Sequence, residues 1–247
     1  MDQNHVKHSI DQGVLRVVID RPAAKNALTK RMYGTIRDLY RQAYVDDSVR
    51  AVVIEGSHDA FAVGGDLREM LASLDADDGG VGLFGYDECL PFEAIRSLPK
   101  PTIAAVDGLC FGGGLTLALV SDIVVATESS RFAMPESRVG VVDGHLPRLL
   151  RDRVPPAWLR YWLYTGVAFP ARDAFAAGLL TKVVGDGELE SMVQQVLAEL
   201  AKAAPQAIRQ YKKILNETRP LSSMEDAYET LFTDEVRDRL RAFSTRK

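Results

Sequence analysis

Thr102-Ile-Ala-Ala-Val106, Asp107-Gly-Leu-Cys-Phe-Gly-Gly-Gly114 and Leu115-Thr-Leu-Ala-Leu-Val120 follow one another without a break, and this stretch decides the fold class. A short apolar, β-prone run bounded by turn residues reads as a buried strand. The glycines after it make a tight loop, and the apolar run after them reads as a helix. Ile123 to Ala126 is the next strand. Working outward, the same alternation recurs. Val6 to Ile10 and Val14 to Ile19 are strands split by Asp11-Gln12-Gly13, and Asp20-Arg21-Pro22 ends the second, because proline cannot continue a ladder. Thr29 is an N-cap for a helix carrying Met32, Ile36, Leu39, Tyr40 and Ala43 at helical spacing. Arg50 to Glu55 is a buried strand, followed by a loop to Gly65 and a short helix from Asp66 to Ser73. An acidic, glycine-rich surface loop spans Asp75 to Gly82, and a helix from Asp87 to Ser97 leads into Leu98-Pro-Lys-Pro101. Strands alternating with helices imply crossover connections and a largely parallel inner sheet. Beyond residue 187 the pattern changes to helices: Leu189 to Ala203, Gln206 to Asn216 and Met224 to Phe243. The expectation is an α/β core over residues 1–186 and a helical region over 187–247.

Composition narrows the function. The chain has 247 residues, 47% hydrophobic and 26% charged, enough apolar content for a core and too much for general disorder. A net charge of −4 argues against nucleic acid as a partner, which needs a concentrated basic surface. Two cysteines, Cys89 and Cys110, make no disulfide framework and lack metal-ligand spacing. Cys110 has no histidine at a recognisable offset for a nucleophilic thiol, and His5, His8 and His58 show no metal pattern. No apolar run is long enough to span a bilayer, and the polar start MDQNHVKHSI has no signal core. A cytoplasmic protein is expected.

Two glycine loops carry the chemistry: Phe61-Ala-Val-Gly-Gly-Asp-Leu67 and Phe111-Gly-Gly-Gly-Leu115. Each follows a strand and opens a helix, so each presents free N–H groups at a positive helix end. Converging, two such groups make an oxyanion hole; the alternative is two tight turns tolerating positive φ. A dinucleotide site is rejected, since G-x-G-x-x-G with a later ribose carboxylate is absent. Trp158, Tyr161, Trp162 and Tyr164 read as core or subunit contact.

The order of motifs goes further. Gly13-Val-Leu-Arg-Val-Val-Ile-Asp-Arg-Pro22, Lys25-Asn-Ala-Leu28, Ala60 to Leu67, Pro101 to Gly108, Gly112-Gly-Gly-Leu-Thr-Leu-Ala118, Ser121-Asp-Ile123 and Phe132-Ala-Met-Pro-Glu136 stand in the order of the enoyl-CoA hydratase/isomerase (crotonase) family, which the chain resembles from about residue 6 onward. The resemblance implies repeated ββα units, a helical C-terminal trimerisation region giving homotrimers or dimers of trimers, an acyl-CoA substrate, and no metal or cofactor beyond the CoA moiety. It places the oxyanion donors at the N–H groups of Gly65 and Gly113. Ala62, Val63, Gly64, Asp66 and Leu67 line the CoA groove, Arg68, Arg21 and Lys25 contact phosphate, and Phe243 covers the pocket. Relatives that hydrate a double bond use two glutamates. Glu136 matches the second, whereas Thr116 stands where the first is expected, and a threonine cannot act as a carboxylate acid or base.

One carboxyl suffices to move a proton between C2 and C4, so the preferred reaction is isomerisation of a 3-enoyl-CoA to a 2-enoyl-CoA. Hydration is second. Asp143, near a position where dienoyl-CoA isomerases and dihydroxynaphthoyl-CoA synthases carry a catalytic aspartate, and His145 are candidates for that step, for C–C bond chemistry or for thioester hydrolysis. Both also read as a helix start. A non-catalytic CoA-binding subunit is the alternative of another class.

Overall fold

The computed structural model describes residues 5–75, 89–216 and 234–244. The main sheet has the strands β1 (Val6–Asp11), β2 (Val14–Ile19), β3 (Ala51–Gly56), β5 (Thr102–Val106), β7 (Ile123–Thr127) and β10 (Lys182–Val184), in the order β1-β2-β3-β5-β7-β10. In this sheet only β1 and β2 pair antiparallel; every other neighbour is parallel. Their hairpin turns on Gln12 and Gly13, with φ of 48° and 80°, the two positive angles a two-residue turn needs. β3 and β5 are apolar and buried along nearly their whole length, as central strands covered on both faces must be.

A second, smaller sheet is built from strands of two or three residues: β4 (Ala60–Ala62), β6 (Leu109–Phe111), β8 (Arg131–Ala133) and β9 (Phe169–Pro170). The chain visits the sheets alternately: β3 then β4, β5 then β6, β7 then β8, each pair followed by a helical segment. These are α2 (Leu67–Asp75), α4 (Gly113–Leu119) and the 3₁₀ turn Pro135–Val139. This is the repeated ββα unit. The short strands are not anticipated by the sequence; three residues are too few to show a period.

α1 (Lys30–Val45) begins where Thr29 Oγ1 accepts the Met32 N–H at 3.2 Å, the expected cap. α3 is shorter than its sequence suggests, Phe92–Ser97; residues 76–88, including most of the acidic loop, lie outside the described set. α5 (Leu146–Leu150), α6 (Pro156–Thr165) and α7 (Ala171–Ala176) follow. Of the aromatic segment, Trp162 is core, stacked on Phe169 at 3.8 Å, while Trp158, Tyr161 and Tyr164 reach the surface. α8 (Leu189–Leu200) closes the far face of the main sheet, burying Val193 against Val53, Ile103 and Ala105. α9 (Pro205–Asn216) is pinned by the buried Lys212, whose Nζ donates to Asp122 Oδ2 at 2.7 Å and to the Lys100 carbonyl at 3.0 Å. The same Asp122 oxygen accepts both N–H and O–H of Thr102, so the Ser121-Asp122 motif is a structural clasp. α10 (Asp234–Ser244) buries Val236 and Leu240 and packs on α2 and on the 3₁₀ turn Pro135–Val139. The Phe243 side chain lies outside the described residues, as does Met224 to Thr233. No described helix is long and apolar enough to cross a membrane, and no group of metal-ligating side chains forms among the described residues.

Candidate active site

The small sheet brings the two glycine loops together. β4 and β6 pair in parallel, so the loops leaving their C-terminal ends lie side by side. A Cβ on Gly64 would meet the Gly113 nitrogen at 3.3 Å, and one on Gly112 would lie 3.9 Å from the Gly64 α-carbon. Gly112 itself has φ of 52° and ψ of −128°, a conformation side chains avoid. The first loop is held by a bridge between Leu28 and Gly65, with Leu28 N donating to the Gly64 carbonyl and Asp66 N to the Leu28 carbonyl. Among the described residues, neither Gly65 N nor Gly113 N donates to a protein acceptor. The Gly113 N–H heads α4, where helix geometry leaves no intrahelical partner. Space is open in front of Gly65: a Cβ there would meet nothing within 4 Å.

Glu136 reaches the loops from the 3₁₀ turn after β8. Its Oε1 lies 2.5 Å from where a Gly112 Cβ would stand. Its Oε2 is buried without a hydrogen-bond partner among the described residues. Burial, and then the negative charge of Asp143, push this carboxyl up to about 8, since a desolvated carboxylate beside a like charge keeps its proton.

Asp143 has the opposite surroundings. Its Oδ1 accepts the His145 N–H at 2.6 Å and the Leu146 N–H at 3.0 Å, capping α5, and its Oδ2 accepts the Thr116 hydroxyl at 3.0 Å. Burial alone would raise its pKa, but His145 and these amides hold it below the ordinary carboxylate range. The His145 ring lies with Nδ1 3.7 Å from Asp143 Oδ1 and packs edge-on against Phe92 at 4.9 Å. Asp143 is therefore both a helix cap and a member of the carboxyl pair. Thr116 carries no acid of its own but delivers a donor to one.

The expected groove residues divide. Ala62 and Gly64 are buried, Val63 and Leu67 half-buried, and Arg68 and Lys25 exposed. Two of the expected residues are engaged with each other: Arg21 Nη1 pairs with Asp66 Oδ2 at 2.6 Å and donates to the Ala27 carbonyl at 2.9 Å. Asp66 braces the loop, since its Oδ1 also accepts the Arg68 and Glu69 N–H groups and caps α2. Burial would raise the Asp66 pKa, yet Arg21 and these donors keep it low. Asn26, buried at φ of 59°, completes the brace by donating to the Ser57 and Ala60 carbonyls.

Sequence reasoning misses Tyr33. It is 3% exposed on α1, and its hydroxyl stands where a Cβ on Gly113 would collide with it. Helical periodicity marks its neighbours as core and offers nothing to separate it from them.

Known proteins resemble this chain over most of its length. The chain is 33% identical over 223 residues to a carnitinyl-CoA dehydratase of Proteus mirabilis, covering 88% of this chain and 82% of the relative. Among solved structures, an enoyl-CoA hydratase from Mycobacterium avium subsp. paratuberculosis superposes with TM-score 0.84 at 26% identity, covering 98% of this chain and 96% of the other. A carnitinyl-CoA dehydratase from Mycobacterium avium superposes with TM-score 0.83 at 27% identity, covering 97% and 96%. The sequence model of the enoyl-CoA hydratase/isomerase family matches residues 9–237. With the repeated ββα core and the paired glycine loops, that match establishes that the chain belongs to the enoyl-CoA hydratase/isomerase family.

Proposed function

We propose that the protein adds water to a 2-enoyl-CoA thioester and removes it from the corresponding 3-hydroxyacyl thioester. The observation that carries this reading is a pair of enclosed carboxyls, Asp143 holding two amides and a hydroxyl while Glu136 Oε2 has no partner among the described residues, beside two glycine N–H groups that find no protein acceptor among those residues. Gly65 and Gly113 hold the thioester oxygen and stabilise the enolate as charge develops there. Asp143, ionised, takes a proton from water as the water oxygen bonds to C3. Glu136, neutral, gives its proton to C2. The reverse reaction uses the same arrangement with the proton on the other carboxyl. The preference for isomerisation drawn from sequence rests on Glu136 acting alone; the Asp143 carboxyl held by Thr116 supports hydration instead. The names of the curated relatives, which denote removal of water, support the same reading. CoA binding is assigned to the groove along Ala62 to Leu67, the protein is expected to act without a further cofactor, and a homotrimer or dimer of trimers is its expected assembly.

Isomerisation of a 3-enoyl-CoA remains the second reading, favoured by Glu136 Oε1 lying against the Gly112 loop, from which one carboxyl can take a proton and return it. Matched 2-enoyl and 3-enoyl thioesters of graded chain length decide between them. Faster hydration is expected at one or more lengths; faster isomerisation throughout replaces this proposal with the second reading. Tight CoA binding without turnover of either leaves the non-catalytic subunit.

A further inference from the structure

Tyr33 is the polar group at the glycine pair that the scheme above does not use. α1 begins at the Thr29 cap and carries Tyr33 one turn in. The ring is fixed edge-on by Phe92, centroids 6.2 Å apart, and Phe92 is in turn packed on His145. A Cβ on Gly113 would meet the Tyr33 hydroxyl first, its Cζ at 3.6 Å and the Gly64 α-carbon at 3.8 Å. The hydroxyl therefore lies against the residue whose amide is the second oxyanion donor, on the side shared with the first glycine loop. Burial first, then Asp143, Cys89 and Glu136, push the phenol above its ordinary value. Burial thus favours the neutral O–H, which can donate a hydrogen bond.

We infer that Tyr33 is a further catalytic residue, whose phenolic O–H donates a third hydrogen bond to the thioester oxygen held by Gly65 and Gly113. A third donor aimed at the enolate oxygen accelerates any reaction through that enolate. This inference rests on the oxyanion reading of the glycine pair and is independent of whether water or an allylic proton is moved.

The test is Tyr33→Phe, with two readouts that a wall residue would not move. First, kcat on the preferred thioester should fall about a hundredfold, the lower range for losing one oxyanion donor, with KM changed less than roughly threefold. Second, a 3-ketoacyl-CoA bound to the enzyme should be enolised, seen as near-ultraviolet absorbance, and the enolate fraction at fixed pH should drop about tenfold in the variant, one pKa unit of the bound ligand. Unchanged kcat and unchanged enolate overturn the inference. Wild-type protein that binds the probe but never enolises it overturns the oxyanion reading along with it. Wild-type protein that enolises the probe yet hydrates no thioester overturns only the proposed function. A second pair of variants checks the placement. Gly113→Ala should be less destabilised, by chemical denaturation, in the Tyr33→Phe background than in the wild type, because the phenylalanine removes the colliding oxygen; equal destabilisation in both overturns the geometry.

Discussion

Glu136→Gln should separate stability from catalysis in a pH-dependent way. In the wild type the carboxyl has its Oε2 closed off from solvent and unpartnered among the described residues, and its pKa is pushed up to about 8. In the unfolded chain it titrates near 4.5. The folded state therefore holds a proton that the unfolded state releases between these values. With the folded pKa raised, stability from this group is complete below the unfolded value and falls as pH rises toward the folded one. At about 1.4 kcal/mol per unit, the loss across that window is at most about 5 kcal/mol. Glutamine is neutral throughout and carries no such slope. The variant should match the wild type near pH 5 and exceed it progressively up to pH 8.5, while losing turnover by at least roughly a hundredfold, as befits an acid–base group. Chemical denaturation at half-unit pH intervals, with kcat measured at each, reads both. In the wild type kcat should decline on the alkaline side with an apparent pKa near 8. A stability difference independent of pH, or turnover close to wild type in the folded Glu136→Gln variant, refutes the reasoning.

Thr116→Val removes a donor to a buried anion at nearly constant volume. A hydrogen bond to a charged group contributes about 1.5–3 kcal/mol, so the Asp143 pKa should rise by roughly one to two units. The folded pKa of Asp143 is depressed, so the stability it contributes is lost as pH falls through that value; the variant should lose it at higher pH, and the acid limb of kcat/KM should shift the same way. Gly114→Ala has no room, since its Cβ would collide with the Ala62 carbonyl and lie 2.7 Å from that carbonyl carbon. Forcing β4 from α4 should cost roughly 1–3 kcal/mol by denaturant titration, and displacing the donors should lower kcat about a hundredfold.

What could be read from the sequence follows from the range of the interaction that fixes each feature. β3 and β5 announce themselves through continuous apolar runs, and the cap at Thr29 through local chemistry. The small sheet does not, because β4, β6 and β8 are held by parallel neighbours far along the chain. Glu136 and the glycine loops are recognisable from residue type and order. The state of Glu136 is not, since it depends on Asp143 and on enclosure by elements distant in sequence. Arg21 reads as a phosphate ligand because nothing near it in sequence suggests Asp66, 45 residues away. The Thr116 hydroxyl finds Asp143 across 27 residues, a pairing no local pattern encodes.

That last pairing is the basis on which the proposed hydration scheme dispenses with a second glutamate on α4. Two carboxyls of equal surroundings would share one proton evenly. Here the hydrogen bonds are distributed unequally: Asp143 accepts from two amides and one hydroxyl, while Glu136 Oε2 accepts from none among the described residues. Each donor to Asp143 favours its anion, and that anion in turn keeps the proton on Glu136. Threonine at position 116 is therefore consistent with the proposed chemistry. In that scheme α4 supplies the Thr116 donor, and the carboxylate it serves arrives from the loop before α5. A glutamate introduced at position 116 would place a third carboxylate against Asp143 and Glu136, raising the proton affinity of all three and removing the asymmetry on which the proposed acid and base roles rest.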